Sequence, residues 1–565
     1  MSRARIADAA LTLAVTLLVL GPVLVSRGYA LRGDMVFVPQ QPWKDAWLGL
    51  DGAAPRFVPG DAVLSVATAA IPGDVLQKVI LAGAFLLGGI GAARLVGHAA
   101  APGRAAAIVL FLWNPWVFER LAIGQWGSLV GYATLPAVVL AAVAMREHGM
   151  SQWPRLALWL AFAALWSPAS ATTAAAVALC VVATGRRLRP TLVTLALATA
   201  VSLPWLVPSL VSAGRLSAAG DQFGAFAARA ESPAGLVASL ASLGGIWKSS
   251  VVPAERTMAL IVLISCLTTA LALLALWRRR TAEDSASRRT TIGLGVLALL
   301  CLLVALLPAI PAVSGAFDAA ARRVPLVGAL RDGHRYLGAA VLVLLPGIAA
   351  VADGIWDRGV RGREALRALA VVVVALPVLC LPSMAWGLGG QLRPVSYPQE
   401  WFTVAEVVET DVSARGGATV VLPWRGTYRG FEWNRFRPVL DPAPRFFAGE
   451  VLIDDRVFLD DRVLDHESAR LRSLSAALEA DDAPARLREL GVARVLVEKD
   501  NGALDAAIPR GQVLHDGPGL RVVSLGDPLE AEGLSSSARG AIYAGSGLAG
   551  LVCLIAVGWI GRRQV

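Results

Sequence analysis

One acidic residue near the start of the chain, Asp34, combines a reactive side chain with a position beside an apolar run. It follows Ile6–Val25 and lies within the stretch Gly28–Leu50. Near the end of that stretch, four residues share one face of a short predicted helix: Trp43, Ala46, Trp47 and Leu50. This spacing is typical of a helix that lies flat among lipid headgroups. We therefore predict that Asp34 is a catalytic base held just above the lipid. The alternative is a solvated loop residue beside two interfacial tryptophans.

A cluster of cationic residues opens a later apolar run, within the sequence LRDGHRYLG. Arg331 and Arg335 are one helical turn apart, and His334 lies between them. A helix N-terminus presents unpaired N–H groups and a positive dipole end, and two arginines there could clamp a phosphate. We predict a donor-phosphate site from these three residues, to which Arg32 of the first loop is also assigned. In the alternative, Asp332 caps the helix and the arginines face bulk headgroups.

Other polar and aromatic residues fall near the ends of apolar runs or in a long loop, where a sugar could reach them. The predicted sugar or acceptor contacts are Glu119, Arg120, Gln125, Trp126, Asp221 and Trp247. Amides hydrogen-bond to hydroxyls, and aromatic rings offer a flat apolar surface. Plainer interpretations stay open. Glu119 and Arg120 would then form a local ion pair, Trp126 would anchor the membrane interface, and Asp221 would be solvated.

The composition indicates a membrane protein. Of 565 residues, 56% are hydrophobic and 17% are charged, whereas a soluble chain is about a quarter charged. The net charge of +10 could suggest nucleic acid. However, arginines concentrate in short loops between apolar runs, as the positive-inside rule requires, so we predict membrane lipid and no nucleic acid as partners.

The cysteines and histidines predict no metal centre. All five cysteines lie within apolar runs, and the five histidines are scattered without metal-ligand spacing. Neither a disulfide framework nor a thiolate site is expected. We predict that no cofactor is required, and a divalent metal stays an alternative. The sequence does not indicate an oligomeric state.

Charge patterning predicts the topology. Apolar runs near the length of a span predict about 10–12 transmembrane segments. Arginine-rich loops place both termini in the cytoplasm of a multi-pass plasma-membrane protein. The segment Leu156–Thr184 is basic at both ends and contains Ser167-Pro168, so we predict a broken hairpin. The predicted parts are a membrane domain over 1–386 with its first outer loop at 26–73, an outer domain over 387–537, and a last span with a basic tail over 538–565.

The stretch 387–537 is the one long polar segment, and it is predicted to be extracytoplasmic. The apolar runs Ala418–Leu422 and Val492–Glu498 are typical of buried strands, and Leu520–Leu525 belongs to a final strand pair. Helical spacing is found at Gln399–Thr410 and at Pro484–Leu490. This alternation predicts a small α/β domain.

A lone carboxylate and a phosphate clamp on one face predict one type of reaction. Asp34 would take the proton of an acceptor hydroxyl that attacks a sugar linked to a lipid phosphate, and the cations would stabilise the departing phosphate. With no second carboxylate as nucleophile, the sugar carbon would be inverted. Two other classes stay open: a flippase or transporter for lipid-linked sugars, and a non-catalytic cell-wall assembly protein. Charges at span ends and the lack of internal repeats favour the enzyme.

Several stretches resemble the actinobacterial (mycobacterial) arabinofuranosyltransferase D family of GT-C glycosyltransferases. They are Leu112–Pro136, Ser239–Ser250, Val324–Gly338, Leu422–Asn434 and Leu440–Phe447. The resemblance implies a GT-C-like membrane fold and a match of Asp34 to the catalytic aspartate of that family's first loop. It also implies a polyprenyl-phosphate-linked arabinofuranose donor and a cell-envelope glycan or glycolipid acceptor. Members of that family continue into long carbohydrate-binding regions, so a mannosyl donor stays an alternative here.

Overall fold

The long apolar runs form a helical bundle in the computed structural model, which describes residues 3–215, 221–281, 284–360, 364–459, 463–501, 508–529 and 533–562. Helices are expected because a bilayer leaves backbone groups no partner except each other. Among the described residues, nine helical stretches are long and apolar enough to cross a membrane: Arg3–Val25, Gly73–Leu95, Ala101–Ala122, Trp126–Ala164, Leu188–Arg215, Ala259–Arg279, Ser285–Ala309, His334–Val360 and Ser536–Arg562. A bent pair, Ala365–Cys380 with Pro382–Gly390, adds a tenth. The prediction of a polytopic helical membrane protein is confirmed.

The helices of this bundle and its connections are numbered in chain order. They are α1 Arg3–Val25, α2 Gly60–Thr68, α3 Gly73–Leu95, α4 Ala101–Leu112, α5 Pro115–Ala122, α6 Trp126–His148, α7 Trp153–Ala164, α8 Pro168–Ala183, α9 Leu188–Ser212, α10 Gln222–Ala225, α11 Leu236–Ala241, α12 Ala259–Arg279, α13 Ser285–Leu306, α14 Pro311–Arg323, α15 His334–Leu337, α16 Val341–Val360, α17 Ala365–Cys380 and α18 Ala385–Gly390. The last span of the chain, Ser536–Arg562, is named α23 below because four helices of the small domain precede it.

The predicted broken hairpin is present. Helix α7 ends at Ala164, and α8 begins at Pro168. The Ser167 hydroxyl accepts a hydrogen bond from the N–H of Ser170 at 3.0 Å, which caps α8. Proline is well tolerated in the first turn of a helix but not within one, so the chain restarts a helix at this point.

The span before the small domain is also broken. The helix axis bends by 69° after Cys380. Four residues of α18, from Trp386 to Gly389, then adopt left-handed backbone angles. Glu255 fixes the break, because its carboxylate accepts hydrogen bonds from the N–H and the hydroxyl of Ser383 at 2.8 and 2.9 Å.

The prediction of a flat interfacial helix over Trp43–Leu50 is wrong. Only a short 3-10 turn forms, over Asp45–Leu48. Trp47 and Leu50 are buried in the protein, whereas Trp43 is 52% exposed. The apolar residues pack against protein instead of lipid, a difference that helical spacing alone does not encode.

The small domain contains a five-stranded mixed sheet. Its helices and strands are α19 Gln399–Arg415, β1 Ala418–Leu422, β2 Tyr428–Arg429, β3 Val439–Leu440, α20 Ala443–Phe446, β4 Val451–Leu452, β5 Val457–Phe458, β6 Val463–Leu464, α21 Ala469–Leu478, α22 Ala483–Glu489, β7 Val492–Glu498, β8 Gln512–Asp516 and β9 Leu520–Ser524. The order in the sheet is β4-β1-β7-β9-β8. β1 is parallel to β4 and β7, and the remaining pairs are antiparallel. β1 and β7 are buried along their whole length, although β7 carries Arg494 and Glu498, which pair with Asp411 and Arg429.

The first loop, residues 26–59, and α2 are joined to the small domain by backbone and charge. The N–H of Gly33 donates to the carbonyl of Pro438, and the N–H of Leu440 donates back to Gly33, both at 2.8 Å. Arg445 forms a bidentate ion pair with Asp61 of α2 at 3.0 and 3.1 Å. We call this contact region the junction. It places the small domain directly over the loop that carries Asp34.

Candidate functional site

Two glycines let the first loop approach the turn between α5 and α6. The N–H of Asp34 donates to the carbonyl of Ile123 at 2.8 Å. Gly33 and Gly124 both have positive φ, 52° and 83°. A Cβ on Gly33 would lie 2.0 Å from the Ile123 oxygen, and one on Gly124 would lie 2.1 Å from the Arg32 oxygen. Only glycine fits at either position, so the backbone itself fixes Asp34.

The Asp34 carboxylate is half-buried and accepts one hydrogen bond on each oxygen. The Tyr428 hydroxyl donates to Oδ1 at 2.5 Å, and Gln125 Nε2 donates to Oδ2 at 3.2 Å. Tyr428 belongs to β2, which pairs with β3, and β3 is bonded to the first loop through Gly33. The two donors orient the carboxylate, and each oxygen keeps a lone pair for a further donor.

Cationic side chains surround Tyr428. The Lys248 ammonium lies 5.1 Å from the centre of its ring. Burial and the charge of Asp34 raise the pKa of Tyr428 well above its usual value, against the opposing charges of Arg56 and Arg335. The phenol therefore stays a hydrogen-bond donor at neutral pH, and the same interactions show that the two arginines lie close by.

Glu467 of the small domain bridges two of these arginines. Its carboxylate lies 2.9 Å from Arg56 and 2.9 Å from Arg331. The charge of Arg56, followed by that of Arg331, lowers the pKa of Glu467. Arg331 also donates to Gln222 at 3.1 Å and lies over the ring of Phe226. The cations near Asp34 outnumber the carboxylates, which favours an anionic ligand.

Arg335 lines a cavity between helices of the bundle. The cavity has a volume of about 260 Å³ and is bounded by α5, α6, α8 and α15. Its lining includes Trp116, Tyr132, Leu135, Ala169 and Ser170. About one third of the Arg335 side chain is exposed, and its other contact is with Asp332 at 3.3 Å. A cation in the lining of a mainly apolar cavity suits the phosphate of a lipid.

A buried charge cluster lies behind Asp34. Arg120 donates to Gln125 at 2.6 Å and to Asp332 at 2.9 Å, and its side chain is 0% exposed. Burial raises the pKa of Asp332, but Arg120 and Arg335 lower it more, to about 2. Hydrogen bonds and an ion pair therefore run without interruption from Asp34 through Gln125, Arg120 and Asp332 to Arg335. The predicted base and the predicted phosphate clamp share one region of the protein.

His334 belongs to this buried cluster. Its Nδ1 lies 2.6 Å from a guanidinium nitrogen of Arg120. Arginine only donates, so Nδ1 accepts and the ring proton lies on Nε2. That nitrogen is 3.3 Å from a carboxylate oxygen of Glu119. Both side chains are 0% exposed, so neither ring nitrogen of His334 reaches a surface where a donor phosphate could bind, contrary to the expectation from sequence.

Arg32 is separate from the other predicted phosphate ligands. Its Nε donates to the carbonyl of Ala122 at 2.8 Å. It lies near Arg437, whose pKa is lowered to about 10 by burial and by the neighbouring arginines. Within the described residues, no hydrogen bond or ion pair joins Arg32 to Arg331, His334 or Arg335.

The predicted sugar contacts differ in position. Gln125 touches Asp34, whereas Glu119 and Arg120 are fully buried. Trp126 is also buried, and its ring packs on Phe37, Phe57 and Trp166. Asp221 is exposed at the start of α10, and Trp247 packs edge-on against Phe226. The structure thus brings Gln125 to the carboxylate and leaves the others in supporting or peripheral positions.

Several residues of the site were not predicted from sequence. They are Arg56, Tyr428 and Glu467. Tyr428 lies in one of the stretches that carry the family resemblance, which is the one signal that could have identified it. Its contact with Asp34 joins residues 394 positions apart, and no spacing rule reaches that far.

One group in the small domain has the residue types of a metal site. Ligand atoms of Asp454, Asp455 and His466 lie within 4.8 Å of one another. Asp454 is already bonded to Arg456, and His466 is bonded to Asp455 and Ser475. These contacts satisfy the group as a structural cluster, and the rest of the described chain offers no other such set.

Solved structures match this fold over almost the whole chain. A cryo-EM structure of arabinofuranosyltransferase AftD from mycobacteria matches 93% of it at a TM-score of 0.55 and 16% identity. A structure of a mutant of the same enzyme matches 94% of the chain at a TM-score of 0.55 and 15% identity. The chain spans only 40% and 42% of those two chains. No protein-family model and no curated protein matches the sequence. The protein is therefore a polytopic membrane protein with the GT-C-like fold seen in mycobacterial AftD.

Proposed function

We propose that the protein is an inverting glycosyltransferase that uses a polyprenyl-phosphate-linked sugar. The acceptor is a cell-envelope glycan or glycolipid, and the reaction takes place at the outer face of the plasma membrane, with both termini in the cytoplasm. The observation that carries the proposal is the meeting of Asp34 with Arg335 and its cationic neighbours beside one mainly apolar cavity. The likeness to AftD supports arabinofuranose as the sugar, and mannose is the alternative.

In the proposed reaction, Asp34 is the general base. The acceptor hydroxyl donates to Asp34, and its oxygen attacks the anomeric carbon of the donor sugar. The bond from that carbon to the phosphate oxygen breaks, the proton stays on Asp34, and the lipid phosphate leaves as an anion. One attacking group and one leaving group on opposite faces give inversion.

Arg335 is the proposed partner of the leaving phosphate. It lines the cavity, where the first units of an isoprenoid chain would fit against Tyr132 and Leu135. Lys248, which lies over the Tyr428 ring, and Arg331, which pairs with Glu467, contribute positive potential. Preorganised cations of this kind stabilise charge that develops in the transition state. Tyr428 and Gln125 hold the base in place and are positioning residues.

The test is an Asp34→Asn variant in a transfer assay with labelled polyprenyl-phosphate arabinofuranose and, separately, the mannose donor. We expect transfer to fall by about 10²–10⁴-fold, the usual contribution of a general base, with the thermal unfolding temperature unchanged. Asp51→Asn is the matched control, because Asp51 is an exposed carboxylate of the same loop. Transfer at the normal rate by Asp34→Asn would overturn the assignment, and transbilayer movement of donor without product would favour a flippase.

A further inference from the structure

A second and larger cavity lies on the other side of the buried charge cluster. It has a volume of about 530 Å³ and is enclosed by α4, α12, α16 and α17. Its walls are mainly apolar, with Leu110, Leu344, Leu376 and Pro377 among them. None of its lining residues lines the cavity at Arg335.

One charged residue, Arg256, lines this apolar cavity. Its side chain is 1% exposed. Nε and Nη2 donate to the Glu231 carboxylate, and Nη2 also donates to the Ser242 hydroxyl at 2.8 Å. Nη1 is buried and has no hydrogen-bond partner among the described residues. A buried donor of a charged group without an acceptor is destabilising, so this nitrogen is suited to an anion that arrives from outside the chain.

The shape of the guanidinium separates the two interactions. Nε and Nη2 form the edge of the guanidinium that faces Glu231. Nη1 does not belong to that edge, so its N–H groups are directed elsewhere. An anion at Nη1 would therefore approach without displacing Glu231. Ser265 and Thr268, which also line the cavity, supply hydroxyl groups near the same wall.

The cavity lies against the lipid-facing side of the bundle. Leu263 of α12 and Leu379 of α17 are 54% and 61% exposed, as expected for residues that contact acyl chains. The wall formed by α17 ends at the break after Cys380, which Glu255 clasps through Ser383. An apolar chamber with one cation at its end, next to lipid, has the chemistry of a site for an anionic amphiphile.

We propose that this cavity binds an anionic lipid, with its negatively charged headgroup at Arg256 Nη1 and an acyl or isoprenoid chain among the apolar walls. The site is separate from the one at Asp34 and does not depend on the proposed glycosyl transfer. Glu231, the partner of Arg256, also interacts with Glu119, and Glu119 lies 3.3 Å from His334. Two carboxylates therefore separate the bound headgroup from His334.

Native mass spectrometry of the full chain in phosphatidylcholine nanodiscs tests this proposal. The probes are lysophosphatidic acid, lysophosphatidylcholine of the same chain length, and inorganic phosphate. We expect retention of lysophosphatidic acid about tenfold above that of lysophosphatidylcholine, the effect of one charged hydrogen bond. Equal retention of the neutral lipid, or binding of inorganic phosphate at the same concentration, would overturn the assignment to an anionic lipid.

Variants assign the bound lipid to this cavity. Leu376→Trp fills the cavity and is expected to remove one bound lysophosphatidic acid, whereas Leu379→Trp, on the exposed face of the same helix, leaves binding unchanged. Arg335→Gln removes a cation from the Asp34 site only, so the lysophosphatidic acid bound in the larger cavity is expected to be retained. Arg256→Gln lowers retention in the same way as Leu376→Trp. Unchanged retention in Leu376→Trp would show that the lipid binds elsewhere, and Leu376 is only half-buried, so the variant is expected to fold.

Discussion

The junction and the buried charge cluster lie side by side, and both are rich in charged residues, but they hold their charges in different ways. At the junction, Asp34 is half-buried and is held by two neutral donors, Tyr428 and Gln125. In the cluster, Arg120 and its partners are almost completely excluded from solvent and hold one another. The first arrangement leaves a carboxylate that can still accept a proton from a substrate. The second has no exposed group to offer.

This difference separates reactive from supporting residues better than residue type does. A half-exposed acid with neutral partners keeps its charge available, whereas a buried ion pair mainly fixes geometry. The cluster connects the two ends of the site, because Arg120 bonds both to Gln125 beside Asp34 and to Asp332 beside Arg335. We therefore expect substitutions in the cluster to reduce stability, and substitutions at the junction to reduce activity.

Arg120→Met gives the largest expected loss of stability, about 3–5 kcal/mol, because it leaves Asp332 buried without its main partner. Thermal unfolding in detergent measures the effect, with Arg323→Met on the exposed end of α14 as the control. The double variant Arg120→Met with Asp332→Asn is expected to recover part of the loss. If Arg120→Met retained full stability and lost only activity, the cluster would be part of the reaction and the comparison would fail.

Arg445→Met breaks the bidentate ion pair with Asp61 that joins the small domain to α2. We expect a loss of about 2 kcal/mol, as for hydrogen bonds to charged groups, together with reduced transfer because the small domain carries Tyr428. Protease sensitivity of the small domain and unfolding temperature are measured together. The matched control is Arg486→Met, which removes an exposed ion pair with Asp482. An intact unfolding temperature in Arg445→Met would show that the backbone contacts alone hold the junction.

Lys44 gives the junction a pH dependence. Burial lowers its pKa to about 7, against the opposing effect of Glu450 and Asp61, and its ammonium donates to the carbonyl of Pro444. Between that value and the ordinary 10.5, the unfolded chain binds a proton that the folded chain does not, so stability rises with pH. From neutral to mildly alkaline pH we expect a gain of about 1 kcal/mol in the native protein and none in Lys44→Met. The same gain in Lys44→Met would assign it to another group.

Tyr428→Phe gives the smallest expected loss of transfer. It removes the hydroxyl that donates to Asp34 and keeps the ring beneath Lys248. We expect transfer to fall about tenfold, the effect of one hydrogen bond to a charged group, with KM for the donor almost unchanged. Transfer reduced as far as in Asp34→Asn would make Tyr428 a participant in proton transfer and not a positioning residue.

Much of the fold follows from local sequence. The strands Ala418–Leu422 and Val492–Glu498 have the predicted bounds, because short segments rich in valine between turns favour a strand. The break at Ser167-Pro168 is likewise local. The helix predicted over Trp43–Leu50 failed because the same spacing suits an apolar face that packs on lipid and one that packs on protein.

The site was less accessible to sequence reasoning. The position of Asp34 beside a span and the cations at the start of α15 could be recognised, and the structure brings Asp34 and Arg335 into one region. The sequence also offered His334 as a phosphate ligand, because burial of a histidine by an arginine 214 residues away leaves no local mark. The role of the small domain in holding Asp34 was hidden for the same reason.

The long-range clasp on Asp34 has a consequence for how the molecule is made. Asp34 is synthesised 394 residues before Tyr428 and well before the segment that hydrogen-bonds to Gly33. A nascent chain therefore carries an unclamped carboxylate until the segment with Tyr428 has been synthesised. The assembled centre therefore forms only after the segment with Tyr428, Pro438 and Leu440 has been synthesised and has folded back over the first loop.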